Sequence, residues 1–374
     1  MNFSDHVRAL DLEALRRQIR AATPDEVAHV LGSGQIGESD IPLLFSPAAD
    51  AFLEELAQAS SALTERRFGR VVNLYCPLYL SNECYNQCTY CGFSSKLKIP
   101  RLTLTPAQVE AEARALHEQG FRHILLVSGE DKNAVSLDYL VECVRRVRAL
   151  FESIAIEIHP LPQEDYRVLV AEGVDGLALY QEVYDEALYR EYHLTGPKRD
   201  YWTRLDAIAA GRAAGMRSPR LASLLGLSDW RLQAALLAIH GRWLARKFWR
   251  ARLAVSFPRI QDSAQEVFTP EFAVTDRDLV HMLCAMRLIL PDAEMVISTR
   301  ERAAFRDQLL GLGVTRTSAG SKTNPGGYRI TEGDDGEQFD VGDERSPNEV
   351  AAAIAARGFE PVWKDFDRYF TREG

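Results

Sequence analysis

No stretch of the 374-residue chain is apolar for long enough to cross a membrane. The opening segment MNFSDHVRALDLEALRRQIR is amphipathic and charged, without the apolar core of a secretory signal, so a cytoplasmic location is the default expectation. Positive charge is also in short supply. Lys and Arg number 44 against 53 Asp and Glu, a net charge of −9. This argues against a broad nucleic-acid surface, which needs a basic face. An acidic small molecule held by one or two local arginines remains compatible with it. Cysteine is scarce: six residues do not make a disulfide framework in a chain of this length. Cys143 and Cys284 sit in apolar surroundings and read as core, and Cys76 reads as at most a neighbour of a functional cluster. The other three crowd into one short segment, CYNQCTYCGF, as Cys84, Cys88 and Cys91. In a reducing compartment such a cluster is metal-binding or catalytic.

What the chain does have is a long alternation. Residues 1–69 carry apolar residues at three- and four-residue steps and read as an N-terminal helical extension. From Arg70 onward, short β-branched or apolar runs alternate with amphipathic stretches. The runs are VVNLYCPLYL, HILLVSGE, SIAIEIHPL, GLALYQE, PRLASLLGL, RLAVSFPRI, AEMVISTRE and TRTSAGSKT. Near-continuous apolar strands with helical crossovers indicate a parallel sheet buried on both faces. Eight such units fit an α/β fold of the (β/α)8 TIM-barrel type over residues 70–326, with 327–374 completing the barrel. An open doubly wound sheet is the competing architecture. The acidic segment EGDDGEQFDVGDERSP reads as a solvated surface loop. Polar residues gather at the C-terminal ends of the runs: Ser128-Gly129-Glu130, Glu157 and His159, Tyr180-Gln181-Glu182, Arg300-Glu301, and Ser318. In a barrel these positions ring the mouth where active sites are built.

Structural zinc sites pair two cysteine knuckles, or one knuckle with a distant histidine pair. No second knuckle exists here, although His123 and His159 are candidates to complete a zinc site. An iron–sulfur cubane held by Cys84, Cys88 and Cys91 has one iron without a protein ligand. An open coordination position of this kind is where a substrate or cofactor binds.

The spacing CxxxCxxC, with Tyr90 just before the last cysteine, resembles the motif of the radical S-adenosylmethionine (SAM) superfamily. The blocks YLSNECYNQCTYCGF, ILLVSGE, ALYQEVY, HLTGPKRDY, LLGLSDWR, ISTRE, SAGSKTNPGGY and PVWKDFD resemble one of its families, the tyrosine lyases of thiamine biosynthesis (ThiH type, 2-iminoacetate synthases). They span the chain from about residue 70 to Phe366. The resemblance implies a [4Fe-4S] cluster on the three cysteines and S-adenosyl-L-methionine on the open iron. It places Ser128, Gly129 and Glu130 at the methionyl amine, with Ser in place of the family's first Gly. It sets Glu157 near the ribose hydroxyls. The stretch from Ala222 to Leu227 resembles the family's adenine-packing GxIxG, which puts Leu225 and Gly226 against the base; Ala222 departs from its first Gly. Tyr90, Gln181 and Glu182 are further candidates for the cofactor's surroundings.

For the substrate, L-tyrosine, the carboxylate is expected on Arg300, with Ser318 and Tyr79 adding hydrogen bonds. An arginine fork suits a carboxylate because it donates two parallel bonds. The bland alternative for Arg300 is an ion pair with Glu301 or another strand-end acid, and for His240 a structural role. Implied partners are a flavodoxin or ferredoxin reductant and a thiazole synthase (ThiG type); neither a nucleic acid nor a membrane is among them. The rival readings are a HydG-like maturase, a tryptophan lyase of the indolic-acid type, and a non-catalytic iron–sulfur scaffold. HydG-type enzymes carry further cysteines in a C-terminal extension, and this chain has none after Cys284.

Overall fold

A computed structural model of the protein describes residues 2–263, 268–330, 336–364 and 366. The N-terminal segment forms helices α1 (Phe3–Ala9), α2 (Leu12–Ala21), α3 (Pro24–Ser33), α4 (Ile41–Leu44) and α5 (Leu53–Phe68). Their starts are written locally. Asp11 accepts from Ala14 N, and Thr23 forms a reciprocal capping box with Glu26. The extension is welded to the helices outside the barrel. Phe3 stacks on His240 with ring centroids 3.8 Å apart, and Ser4 bonds Asp206. His240 in turn meets the Tyr184 hydroxyl at 2.9 Å, and burial pushes its pKa down to about 3. It is a structural histidine, as its apolar helix predicts.

All eight expected strands form: β1 (Val71–Ser81), β2 (His123–Ser128), β3 (Ser153–Glu157), β4 (Gly176–Ala178), β5 (Ser218–Leu221), β6 (Ala254–Ser256), β7 (Glu294–Ile297) and β8 (Arg316–Ser318). Each pairs in parallel with the next, and β1 pairs with both β2 and β8, so the sheet closes into a barrel. Closure decides between the two architectures. The crossovers are α6 (Pro106–Glu118), α7 (Leu137–Val147), α8 (Gln163–Glu172), α9 (Glu186–Tyr192) with α10 (Tyr201–Ala213), α11 (Trp230–Lys247), α12 (Asp276–Ile289) and α13 (Ala303–Leu309). The period-2 pleat splits the core in two. Leu74, Cys76, Leu78 and Leu80 of β1 face the helices, while Tyr75 and Tyr79 join Leu125, Val127, Ala178 and Val296 inside the barrel. Cys76, Cys143 and Cys284 are all buried in the outer layer, so Cys76 turns away from the cysteine cluster. Near its end β1 spends one extra residue, with Tyr79 opposite Val127 and Ser81 opposite Ser128. A bulge of this kind re-aims the chain where pairing ends. Here it launches the cysteine loop.

The chain after β8 does more than complete the barrel. Residues 336–343 cross the mouth as a strap: Gly92 N donates to Gln338 O, Gln338 N to Thr323 O, and Gly342 N to Thr299 O. The chain then forms α14 (Pro347–Ala356) and a ninth strand, β9 (Glu360–Val362), which takes Val71–Asn73 of β1 below the point where β2 begins to pair. The expectation of a solvated acidic loop therefore needs correction. Residues 331–335 lie outside the described residues, but Gly336 and Asp343 are buried. Asp343 is neutralised by Arg306 and Arg345, which removes the penalty of burying its charge.

One buried carboxylate holds the base of this strap. Glu112 on α6 is fully buried and accepts from Tyr328 N and Ile330 N, both at 2.9 Å. Glu112→Ala leaves two main-chain donors without an acceptor and is expected to cost about 3 kcal/mol. Urea denaturation checks this, and Glu112→Gln, which keeps one acceptor oxygen, should lose less.

Candidate active site at the barrel mouth

The cysteine loop owes its shape to backbone pairing with the segment after α9. Gln87 N donates to Thr195 O, Leu194 N to Gln87 O, and Thr89 N to Tyr192 O. Behind the loop, Arg101 donates to the carbonyls of Asn82, Phe93, Ser94 and Leu97. Two glycines are required by close approach. A Cβ on Gly129 would lie 2.2 Å from Glu83 O, and one on Gly92 would lie 2.6 Å from Glu337 O. Gly129 thus serves the packing of β2 against the cysteine loop.

Three cavities adjoin at the mouth. The first, about 520 Å³, is lined by Cys84, Cys88 and Cys91 together with Ser128, Gly129, Glu130, Lys198 and Arg204. The second, about 480 Å³, is lined by Tyr90, Cys91, Glu182, Lys198, Leu224, Ile260 and Arg300. The third, about 600 Å³, descends into the barrel between Tyr75, Tyr79, Tyr180, Phe257, Arg300 and Ser318. Glu157 and Gln338 line all three.

A buried charge network frames the first cavity. Glu130 accepts from Arg204 Nη1 at 2.8 Å and from Asn86 Nδ2 at 2.9 Å. Burial alone would raise its pKa, but Arg204 and Lys198 bring it down to about 2. Lys198 Nζ lies 2.8 Å from Glu182, which adopts a left-handed backbone at φ 66°. Tyr90 and His193 meet at 2.8 Å. His193 Nδ1 lies 2.6 Å from Tyr189 O, an acceptor only, so Nδ1 carries the proton and Tyr90 donates to Nε2. Burial raises the Cys84 thiol to about 11, with Glu130 adding to the effect, and lifts Cys88 well above its usual range, with Lys198 opposing. Thiolates here therefore need compensating metal charge.

The donor set fits a polynuclear cluster better than zinc. No three His, Cys, Asp or Glu side chains among the described residues are grouped to hold a metal ion. His123 starts β2, at the far end from the cysteine loop, and stacks on Phe366. Three thiols spread around a cavity can each meet a different iron. The Ser128 hydroxyl is buried there without a partner, as befits a wall meant to meet a ligand.

In the third cavity Tyr79, Arg300 and Ser318 converge, although they come from strands one and eight and the loop after strand seven. Ser318 Oγ accepts from Thr299 N at 3.0 Å, which leaves its own O–H to donate. The bland reading of Arg300 fails, because Glu301 is bound by Arg259 instead. Arg300 stacks on Phe339 at 3.3 Å, and no carboxylate among the described residues pairs with it. Three expectations need correction. The Tyr79 hydroxyl donates to Gln338 Oε1 at 2.8 Å, so it lines the cavity but has no proton left for a carboxylate. Gln181 is buried away from the cavities, its amide reaching Tyr201 O. Leu225 and Gly226 form the turn that pairs with Pro258 and Ile260, and it is Leu224 that faces the second cavity. Sequence reasoning missed Asn86, Lys198, Arg204 and Gln338. Asn86 and Lys198 lie inside the quoted blocks and Arg204 three residues beyond one of them, but none carries a strand-end signature.

A closed (β/α)8 barrel with an open three-cysteine loop above strand one defines a radical SAM enzyme. Residues 78–238 match the radical SAM superfamily, and residues 256–360 match the biotin and thiamin synthesis associated domain. Over 371 residues the chain is 42% identical to 2-iminoacetate synthase of Escherichia coli K12, covering 99% of this chain and 98% of that protein. Its identity to 2-iminoacetate synthase of Salmonella typhimurium LT2 is 40%, with the same coverage. The crystal structure of HydG, a maturase of the [FeFe]-hydrogenase, superposes with a TM-score of 0.89 at 27% identity, covering 99% of this chain and 82% of that one. The chain belongs to the 2-iminoacetate synthase family, whose superfamily uses a [4Fe-4S] cluster and S-adenosylmethionine. No helix among the described residues is long and apolar enough to cross a membrane.

Glu157 marks the junction of the cavities, and burial pushes its pKa from 4.5 to about 7, with Glu182 adding and Arg220, Arg300 and Lys198 opposing. Between those values the native state holds a proton that the unfolded chain has lost, so stability falls as pH rises through that window. Glu157→Gln lacks this loss. Urea midpoints of the metal-free proteins should show the variant gaining on wild type between pH 5 and pH 8; a constant difference contradicts the assignment.

Proposed function

We propose that the protein is a tyrosine lyase that cleaves the Cα–Cβ bond of L-tyrosine, giving 2-iminoacetate (dehydroglycine) and p-cresol, with Cys84, Cys88 and Cys91 as the cluster's protein ligands. The observation that carries this reading is the convergence of Arg300, Ser318 and Tyr79 in a cavity that adjoins the cysteine cavity at Glu157 and Gln338. When bound, the cluster and S-adenosylmethionine, given one electron by a flavodoxin or ferredoxin, supply a 5′-deoxyadenosyl radical and methionine.

The chain's own residues do the rest. Lys198 and Arg204 set positive charge beside the cysteines. Ser128 offers its unpartnered hydroxyl to the cofactor, and Glu157 lies where it can meet the ribose. The unpaired guanidinium of Arg300 and the free O–H of Ser318 take the tyrosine carboxylate, a pairing that is strong because it is charge-assisted and bidentate. Leu125, Val127, Phe257 and Val296 supply apolar wall for a phenol ring. Held there, the substrate presents its amine for hydrogen-atom abstraction, after which the Cα–Cβ bond breaks and the 4-hydroxybenzyl radical takes a second electron from the reductant and a proton to become p-cresol. The strap over the mouth keeps bulk water from a product that hydrolyses readily. Direct hand-over of that product to a thiazole synthase, for the thiazole moiety of thiamine, follows from the same lability.

Anaerobically reconstituted protein given reductant, S-adenosylmethionine and tyrosine should form 5′-deoxyadenosine and p-cresol together, and Cys88→Ala should form neither. Adenosyl product without p-cresol contradicts the substrate; activity in the Cys88 variant contradicts the ligand set.

A further inference from the structure

Gln338 stands apart from every other residue of the strap. Its main chain is fixed at both ends, with Gly92 N donating to its carbonyl and its own N–H donating to Thr323 O. Its side chain is fixed at both ends as well. Tyr79 Oη donates to Gln338 Oε1 at 2.8 Å, and Gln338 Nε2 donates to Cys91 Sγ at 3.8 Å, within range for a bond to sulfur. One planar amide thus spans from a hydroxyl that lines the barrel cavity to a sulfur that lines the cysteine cavity. Nothing in composition or periodicity marks this glutamine, which sits in an acidic, turn-rich segment.

We propose that Gln338 is a positioning residue that tunes the reduction potential of the cluster through its N–H···S bond to Cys91, and that Tyr79 holds the amide in place for this from the substrate side. The inference rests on Cys91 being a cluster ligand. Its physical basis is the charge of the reduced cluster. Reduction adds an electron, and some of the added negative charge falls on the thiolate sulfurs. A donor aimed at one of those sulfurs stabilises the reduced form more than the oxidised form, so the potential rises; hydrogen bonds to sulfur are among the levers that set cluster potentials. The Tyr79 hydroxyl contributes through the same amide. Donation to Oε1 orients the group and polarises its N–H, so the two bonds reinforce each other. A residue that lines the proposed tyrosine cavity is thereby linked to a sulfur that carries part of the added charge.

The test is a redox titration of cluster-loaded protein, without S-adenosylmethionine or tyrosine, followed by electron paramagnetic resonance. Gln338→Leu removes the donor while leaving both main-chain bonds of the strap, and its potential should fall below that of wild type. Gln338→Glu, of the same shape but with an acceptor facing the sulfur, should fall too and serves if the leucine variant does not fold. Tyr79→Phe should shift the potential in the same direction by a smaller amount. The double variant Tyr79→Phe/Gln338→Leu should match Gln338→Leu alone, because the tyrosine acts only through the amide. A wild-type potential in either Gln338 variant overturns the proposal, as does additivity of the two shifts in the double variant. Failure of the wild-type protein to bind any cluster would count against the proposed function itself, so the two readings fail in distinguishable ways.

Discussion

The guanidinium of Arg204 is the constraint on which the mouth of this barrel depends. It reaches from α10 to the ends of two strands, donating to Glu130 after β2 and to Tyr180 O after β4. Through Glu130 it also holds the cysteine loop, because the second carboxylate oxygen accepts from Asn86, two residues after Cys84. Asn86 in turn accepts from Lys198 N, which brings a second cation to the cavity. Burying so many charges is costly unless each is paired and hydrogen-bonded. Here Arg204 and Lys198 face Glu130 and Glu182, and the set is nearly closed. Removing one member strands the others, and the loop that carries three thiols loses its anchor.

The second organising fact is that the mouth is built by both ends of the barrel chain. The cysteine loop leaves β1, and the strap returns after β8, the strand that pairs with β1. Gly92 meets Gln338 because these two connections rise side by side. The closed sheet therefore explains why residues more than two hundred positions apart share a cavity. It also explains the division of labour. The early loops frame the cluster and cofactor, while β7, β8 and the strap frame the cavity below.

Much of this was legible in the residues. The eight strands announced themselves as apolar runs between amphipathic helices, and the polar strand ends marked the mouth. Cys84, Cys88 and Cys91 were legible because three thiols at that spacing have few other uses. That Arg300 and Ser318 would stand at the mouth was legible because each lies at the end of an expected strand. Lys198 and Arg204 were not. Both come from a crossover, where a basic residue ordinarily faces water, and only the fold reveals that these two point inward. Gln338 was hidden for a related reason. Its neighbours are acidic and turn-forming, a composition that signals solvent, and its half-buried place over the cavities depends on contacts with Gly92 and Thr323 that no local pattern records. Gln181 misled in the opposite sense, since strand-end position sets which residues are near the mouth and the pleat sets which of them face it.

The dependence of the cysteine loop on Arg204 is open to direct measurement. Arg204→Gln removes the charge while keeping a hydrogen-bonding side chain. Iron and sulfide per chain after anaerobic reconstitution should fall well below the wild-type value, while far-ultraviolet circular dichroism stays that of the intact barrel. Cluster loading equal to wild type, with the same paramagnetic resonance spectrum on reduction, would contradict the claim that this buried charge network positions the three thiols.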